Sequence, residues 1–289
     1  MDLVQQHLWG WNIATYLFFG GLGGATLALG ILGELRFGKG KWFGIGTSLL
    51  GIVLLSFGLI WLVIDLIDPF RFLLAFWIKG IAHSWIARGM ILIVGMQVFG
   101  ILYAIAAFLE KETFKKWMGY AAMFCGFGVT TYTGLLLNAN VGIPFWHTPA
   151  LPILFTVSAF STGCALLMWI LAAQKDHASE HMFHFIEGFD IFLISLELLI
   201  IFAYFDFARL GNAAVMKSAH LLLTNPLFTI GFVIFGLIAP LMLEAYASVT
   251  KGSKGLAVFA SALVLFGGFL LRYLIVWAGV FQYPHGIAG

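Results

Sequence analysis

Apolar residues run along this chain in eight long blocks, roughly 11 to 33, 43 to 66, 86 to 109, 117 to 139, 150 to 174, 185 to 207, 227 to 250 and 255 to 281. Each block reaches the about 20 residues that a helix needs to cross the hydrocarbon core of a bilayer. Lipid offers backbone groups no partner, so a spanning segment must satisfy them internally, and the pattern predicts eight transmembrane α-helices. Strand-period alternation is missing and the blocks are far longer than barrel strands, which argues against a transmembrane β-barrel. The first block lacks a basic flank and continues into a full span, so it reads as a helix rather than a cleavable leader. With no Pro/Ser-rich linker and no acidic tail between blocks, the expectation is one all-α membrane domain over residues 1–289.

Composition strengthens this reading. The protein is 62% hydrophobic and only 10% charged, with a mean hydropathy of +1.01, against the roughly 25% charged content of soluble domains. Lys and Arg accumulate in cytoplasmic loops. The connections after blocks one, three, five and seven hold Arg36, Lys39, Lys41, Lys111, Lys115, Lys116, Lys175, Lys251 and Lys254, whereas the opposite connections hold Arg71, Lys79, Arg88, Arg209 and Lys217. Both termini are therefore expected outside, on the periplasmic side of a bacterial or archaeal cytoplasmic membrane. The outer connections around 67 to 85, 138 to 149 and 208 to 226 are long and semi-apolar, suited to docking a partner.

Several chemistries are poorly served by these residues. Cys125 and Cys164 are the only cysteines and form no CxxC pair, so an iron–sulfur cluster, which usually takes four thiolates, is not expected in this protein. His7, His83, His147, His220 and His285 lie at outer ends or loops, not in the mid-helix pairs that a bis-His haem requires. His177, His181 and His184 recur at helical spacing before block six; a solvated turn accounts for them more simply than a metal site does. No nucleotide-binding loop or nucleophile elbow is present, and neither a bound metal nor a nucleic-acid partner is expected.

Ionisable groups within the apolar blocks need a reason, because each costs about 2.5–3.5 kcal/mol to insert. Glu197 in block six, Glu244 in block seven and Arg272 in block eight stand out, with Asp190 and Asp206 nearer the ends of block six. At about 1.5 Å per residue they stagger across the membrane at about 9 Å (Glu244), 18 Å (Glu197) and 26 Å (Arg272) from the cytoplasmic end. Two readings stand open: a Glu197–Arg272 ion pair that pins helices, or a proton path with water between its members.

A second polar group lies near the outer end of the first half. Asn12 and Tyr16 are four apart and share a helix face, Asp65 closes block two, and Tyr132 lies in the outer half of block four among Thr130, Thr131 and Thr133. Tyr16 and Tyr132 come out at about 8 and 10 Å depth. An apolar pocket with a few placed donors suits a quinone, although interfacial Tyr and Asn also occur as belt residues. Gly20 and Gly24 in block one form a small-xxx-small face of the kind that brings helices close.

The run TyrThrGlyLeuLeuLeu from Tyr132, ValGlyIleProPheTrpHisThrProAlaLeuPro from Val141 and SerAlaPheSerThrGly from Ser158 resembles the NrfD-like membrane subunits of polysulfide reductase and its relatives. The likeness continues from Trp11, from Ile64 and from Gly267, and so spans essentially the whole sequence. It implies a quinone-reactive subunit of a respiratory complex, using menaquinone or ubiquinone and holding no haem or cluster itself. It implies partners on the periplasmic face: an iron–sulfur electron-transfer subunit serving a molybdopterin catalytic subunit. The family's quinone-site residues fall on Asn12, Tyr16 and Tyr132, with Asp65 close by, and its proton-path proposals map onto Glu197, Glu244 and Arg272, with Asp190 beside them. The sequence departs from some relatives in carrying Tyr16 where they have a histidine. The competing readings are the same subunit reducing quinone with electrons from a donor such as formate or hydrogen, and a secondary transporter, for which broken helices and related halves are not evident.

Overall fold

Each of the eight apolar blocks closes its backbone hydrogen bonds as one helix long and apolar enough to cross a membrane. The computed structural model describes residues 2–65, 85–174, 176–250 and 254–283. The spans are α1 (Trp11–Phe37), α2 (Lys41–Asp65), α3 (Trp85–Phe108), α4 (Glu112–Asn138), α5 (Ala150–Ala172), α6 (His177–Arg209), α8 (Leu227–Thr250), which is wound as a π-helix over Leu227–Ile238 before it continues as an α-helix, and α9 (Lys254–Trp277). A short α7 (Ala213–Leu223) stands between α6 and α8, and strands β1 (Asp2–Gln5) and β2 (Val280–Tyr283) flank the bundle. The molecule is a multi-pass membrane protein. The outer connection expected at 67–85 lies outside the described residues as far as residue 84, as do Arg71, Lys79, His83, Lys175, Lys251 and His285.

Four details depart from the apolar pattern, each for a local reason. Helix α6 begins at His177, about 12 Å of helix before its apolar block. Asp176 caps it by accepting from the Ser179 amide at 3.1 Å, and Glu180 complements the dipole in the first turn. Helix α4 likewise starts early, with Glu112 in its first turn. The 208–226 connection holds α7, capped by the Asn212 side chain at 3.0 Å from the Val215 amide, with Ala214, Ser218, Ala219 and Leu222 on its buried face. Helix α9 stops at Trp277, and the backbone turns into β2, which pairs antiparallel with β1 from Asp2↔Tyr283 to Gln5↔Val280. The all-helical bundle thus carries one two-stranded ribbon that joins the two ends of the sequence on one face, called here the terminal face.

Helix neighbours define two rings. Helices α1–α2, α2–α3, α3–α4 and α4–α1 pack pairwise around the first, and α5–α6, α6–α8, α8–α9 and α9–α5 around the second. The rings meet where α1 and α4 lie against α5 and α1 lies against α9. Helix α1 is the shared axis: 20 of its 27 residues are buried, as expected of a helix apolar on all sides. Its glycines permit this. A methyl on Gly24 would stand 2.6 Å from the Gly126 carbonyl of α4, and one on Gly23 would stand 2.6 Å from the Gly51 carbonyl of α2. The close contact expected of the Gly20–Gly24 face is made with α4, while Gly20 itself faces the Thr133 side chain.

Side chains then fasten the two faces. On the terminal face Trp146 is fully buried, donates to the Ile275 carbonyl at 2.8 Å and stacks on Trp9. Nearby, Tyr204 donates to the Phe145 carbonyl, and His147 Nδ1 lies 2.7 Å from the Asn138 carbonyl. The segment from Val141 is therefore a plug that ties α9, α6 and the N-terminal segment together. On the opposite face Lys39, between α1 and α2, donates to Gln174 at 2.6 Å, to Asp176 at 3.1 Å and to Ser179, which latches one ring to the other. The Ser179 hydroxyl and the Lys39 ammonium hold the Asp176 carboxyl down, from 3.8 to about 2.

Candidate functional site

Within the first ring, near the terminal face, two phenols meet. Tyr16 on α1 is 1% exposed and Tyr132 on α4 is 4% exposed, and each lies within electrostatic reach of the other. Space for Tyr132 is made by Gly89 on α3, where any β-carbon would fall inside the phenol ring. Gly58 on α2 lets that helix approach the Tyr16 carbonyl. Asn12, one turn above Tyr16, donates to Asp65 at 3.3 Å, so all four sequence-expected residues gather at one end of one ring. Thr130, Thr131 and Thr133 turn their hydroxyls back onto their own helix.

Buried Tyr hydroxyls usually find a partner, and this protein shows the rule. Tyr103 donates to Glu34 and Tyr204 to the Phe145 carbonyl. For Tyr16 and Tyr132 no hydrogen bond links either hydroxyl to another described residue, and neither hydroxyl is one of the fully buried polar atoms left without a partner. The two buried phenols and the Asn12–Asp65 pair gather hydrogen-bonding groups at one end of the first ring.

The second ring holds the charged groups. Arg272 on α9 is fully buried and donates to Ser158 at 3.1 Å, to the Gly268 carbonyl at 2.5 Å and to the Phe155 carbonyl at 3.3 Å. Its guanidinium lies against the rings of Phe18 and Phe155. The Glu197–Arg272 ion pair weighed from sequence does not form: the Nη1 and Nη2 groups of the guanidinium go to a hydroxyl and two carbonyls, and its Nε has no partner. Glu197 feels its charge but keeps Oε1 without a partner.

Deeper on the opposite side, Asp190 of α6 and Glu244 of α8 are both fully buried. All four of their carboxyl oxygens lack hydrogen bonds within 3.5 Å, as does the Ser161 hydroxyl. The two acids interact, with Ser161 and Glu197 close to Asp190 and Glu187 close to Glu244. Asp190 is thus central to the cluster, although its sequence position suggested a place near a helix end. Residue counting gives depth along the bilayer but no direction around a helix, which is why Arg272 and Glu197 seemed natural partners. Glu187, Ser158, Ser161 and Gly89 escaped sequence reasoning. Glu187 sits three residues from Asp190, and Ser158 and Ser161 are three apart on α5, so helical spacing held a signal for all but the glycine. Of the three histidines before block six, His181 lies against Phe37 and His184 against Glu187; among the described residues no three His, Cys, Asp or Glu side chains converge as a metal site.

The profile of the family described as polysulphide reductase, NrfD, matches residues 2–284. The chain belongs to the NrfD family. The polysulfide reductase C subunit of Wolinella succinogenes is 29% identical to it over 317 residues, with 96% of each sequence covered. The NrfD homolog of Haemophilus influenzae is 26% identical with 94% of each sequence covered, and protein NrfD of Escherichia coli is 24% identical with 95% and 96% covered. The NrfD match thus takes in both rings, the plug from Val141 and both strands.

Proposed function

We propose that this protein is the quinone-reactive membrane subunit of a multi-subunit oxidoreductase, a single membrane domain with its ring-binding site between Tyr16 and Tyr132. The observation that carries the reading is the gathering of the buried Tyr16 and Tyr132 side chains with the Asn12–Asp65 pair at one end of the first ring, in a member of the NrfD family. The chemistry of the donor set suits a quinone: the phenols offer hydrogen bonds to ring oxygens, and the buried residues packed around them, Leu55, Val129 and Leu137, are apolar.

A bound menaquinol or ubiquinol supplies two electrons and two protons there. The Tyr16 and Tyr132 hydroxyls hold and orient the ring oxygens, and Asp65, positioned by Asn12, takes up protons at the mouth of the site. Asp190, Glu244 and Glu197 exchange protons in the second ring, around the positive charge that Ser158 and two carbonyls fix on Arg272. Electrons pass to an iron–sulfur subunit that serves a molybdopterin catalytic subunit. Both dock on the terminal face, which in this reading is the periplasmic side of a bacterial or archaeal cytoplasmic membrane. The likeness to a protein named as one subunit of polysulfide reductase supports a place in such a complex. The same site would serve the reverse flow, from a donor such as formate or hydrogen to quinone, because the direction depends on potentials set in the partner subunits.

Tyr132→Phe in the whole complex tests the site. Quinol-dependent turnover is expected to fall while dye-dependent activity of the partner subunits stays at its wild-type level. Equal quinol turnover in the variant would overturn the proposal.

A further inference from the structure

The N-terminal half of α6, towards the face opposite the two termini, carries His184, Glu187 and Asp190 at three-residue intervals. Successive members therefore stand on one side of the helix, about 4.5 Å apart along its axis. Their environments change sharply along that line. The His184 side chain is 57% exposed and its Nδ1 lies 3.3 Å from Glu187 Oε2, while the Glu187 side chain is 4% exposed. One step further in, Asp190 and Glu244 are fully buried, and Glu244 feels the charge of both Asp190 and Glu187.

The partners these acids lack matter as much as those they have. Among the described residues every ion pair made by a lysine goes elsewhere: Lys39 to Asp176, Lys41 to Glu110, Lys115 to Glu34 and Glu112, and Lys254 to Glu180. Arg272 is spent on Ser158 and two carbonyls. A structural ion pair is best served by a permanently charged Arg or Lys. Among the described residues the one basic side chain bonded to the buried line of acids is the His184 imidazole, whose two ring nitrogens suit it to accept and hand on a proton. Among the described residues Glu187 faces His184 on its own helix and Glu244 on α8; Asp190 lies one turn further along, Cys164 on α5 stands by Asp190 and Glu244, and the Lys254 ammonium of α9 is held by Glu180 at 3.6 Å.

From this geometry we infer that His184 and Glu187 form the proton port of the second ring, passing protons between the compartment facing the start of α6 and the Asp190–Glu244 pair. The inference rests on the reading of this protein as a proton-exchanging quinone subunit. In the step itself, the imidazolium N–H gives its proton to the Glu187 carboxylate and is recharged from water. Glu187 then passes the proton to the Asp190–Glu244 pair, and no other bond changes.

The test uses the whole complex in proteoliposomes, with a pH-sensitive dye in the compartment facing the start of α6 and quinol turnover followed in parallel. A positioned proton carrier contributes about 10²–10⁴-fold and bulk water substitutes in part, so His184→Gln is expected to slow proton uptake by roughly tenfold or more. Added imidazole should restore the rate. Glu187→Gln should slow uptake as well, without rescue by imidazole, and Glu187→Asp should keep part of the rate. Uptake unchanged in both variants, a slow His184→Gln variant that imidazole does not rescue, or a wild-type complex that takes up no protons from that side would overturn the port. Quinol binding with normal electron transfer in these variants would keep the quinone site standing in any of those cases, so the two readings fail separately.

Discussion

Gly89→Ala is the most informative single change near the phenols. The added methyl would lie within the van der Waals envelope of the Tyr132 ring, whereas ordinary carbon contacts begin near 3.4 Å. Either the ring or α3 must give way by more than about 1 Å, and a misplacement of about 1 Å costs on the order of 10²-fold in a positioned reaction. Overpacking costs about 1–3 kcal/mol, offset in part by the about 1 kcal/mol that Ala gains over Gly in a helix. The fold should therefore survive with a small loss of stability while quinol-dependent turnover falls by roughly two orders of magnitude. Turnover with quinol and with dye, together with thermal melting in detergent, separates the two effects. Gly46→Ala, where the new methyl meets nothing within 4 Å, is the matched control: it should leave turnover unchanged and keep the full gain of about 1 kcal/mol of Ala over Gly in a helix. Quinol turnover within about twofold of wild type in Gly89→Ala, at an unchanged melting temperature, would refute the placement of Tyr132 in the site, since a 1 Å shift should cost far more than that.

Further consequences follow from the packing and charges. Ser158→Ala takes one of three hydrogen bonds from a buried guanidinium and should cost about 1.5–3 kcal/mol; an unaltered unfolding curve in SDS would contradict the arrangement around Arg272. Gly44→Ala should be less stable than Gly46→Ala, because its methyl would collide with the Glu34 carboxylate and the Tyr103 hydroxyl and break the buried link to Lys115, 2.8 Å from Glu34. Equal melting temperatures in the two variants would show that this network does not stabilise the first ring. The latch at Asp176 should be insensitive to pH near neutrality. A carboxyl held below its ordinary 3.8 stabilises the fold where it is ionised, and that contribution is lost as pH falls through 3.8 towards about 2. The stability difference between wild type and Asp176→Asn should thus be constant from about pH 5 to 8 and shrink only under acid; a difference that vanishes near pH 6 would contradict it.

The spans were legible because their constraint is blunt: about 20 apolar residues in a row leave the backbone little choice but a helix. What the apolar pattern could not give was structure stabilised outside the bilayer. The early start of α6 depends on the Asp176 cap, α7 on the Asn212 cap, and the ribbon on pairing between residues at opposite ends of the sequence. Among site residues, Asn12, Tyr16, Asp65 and Tyr132 could be grouped by depth and helical spacing, and they meet in one ring. The rotation of each helix about its axis is set by tertiary packing. Hence Arg272 turns to Ser158 rather than Glu197, and Asp190 turns to Glu244. Gly89 has no side chain to draw attention, and its role shows only when the Tyr132 ring is seen in the space it leaves.

Ligand binding to the two phenols is the most direct probe of the account. Titration of a quinol-site inhibitor into the purified subunit, by calorimetry or fluorescence quenching, should give saturable binding to wild type. Each lost hydrogen bond is worth about 0.5–1.5 kcal/mol, so Tyr16→Phe with Tyr132→Phe should weaken binding by about 5- to 150-fold. Identical affinity in wild type and the double variant would contradict the placement of the quinone between α1 and α4.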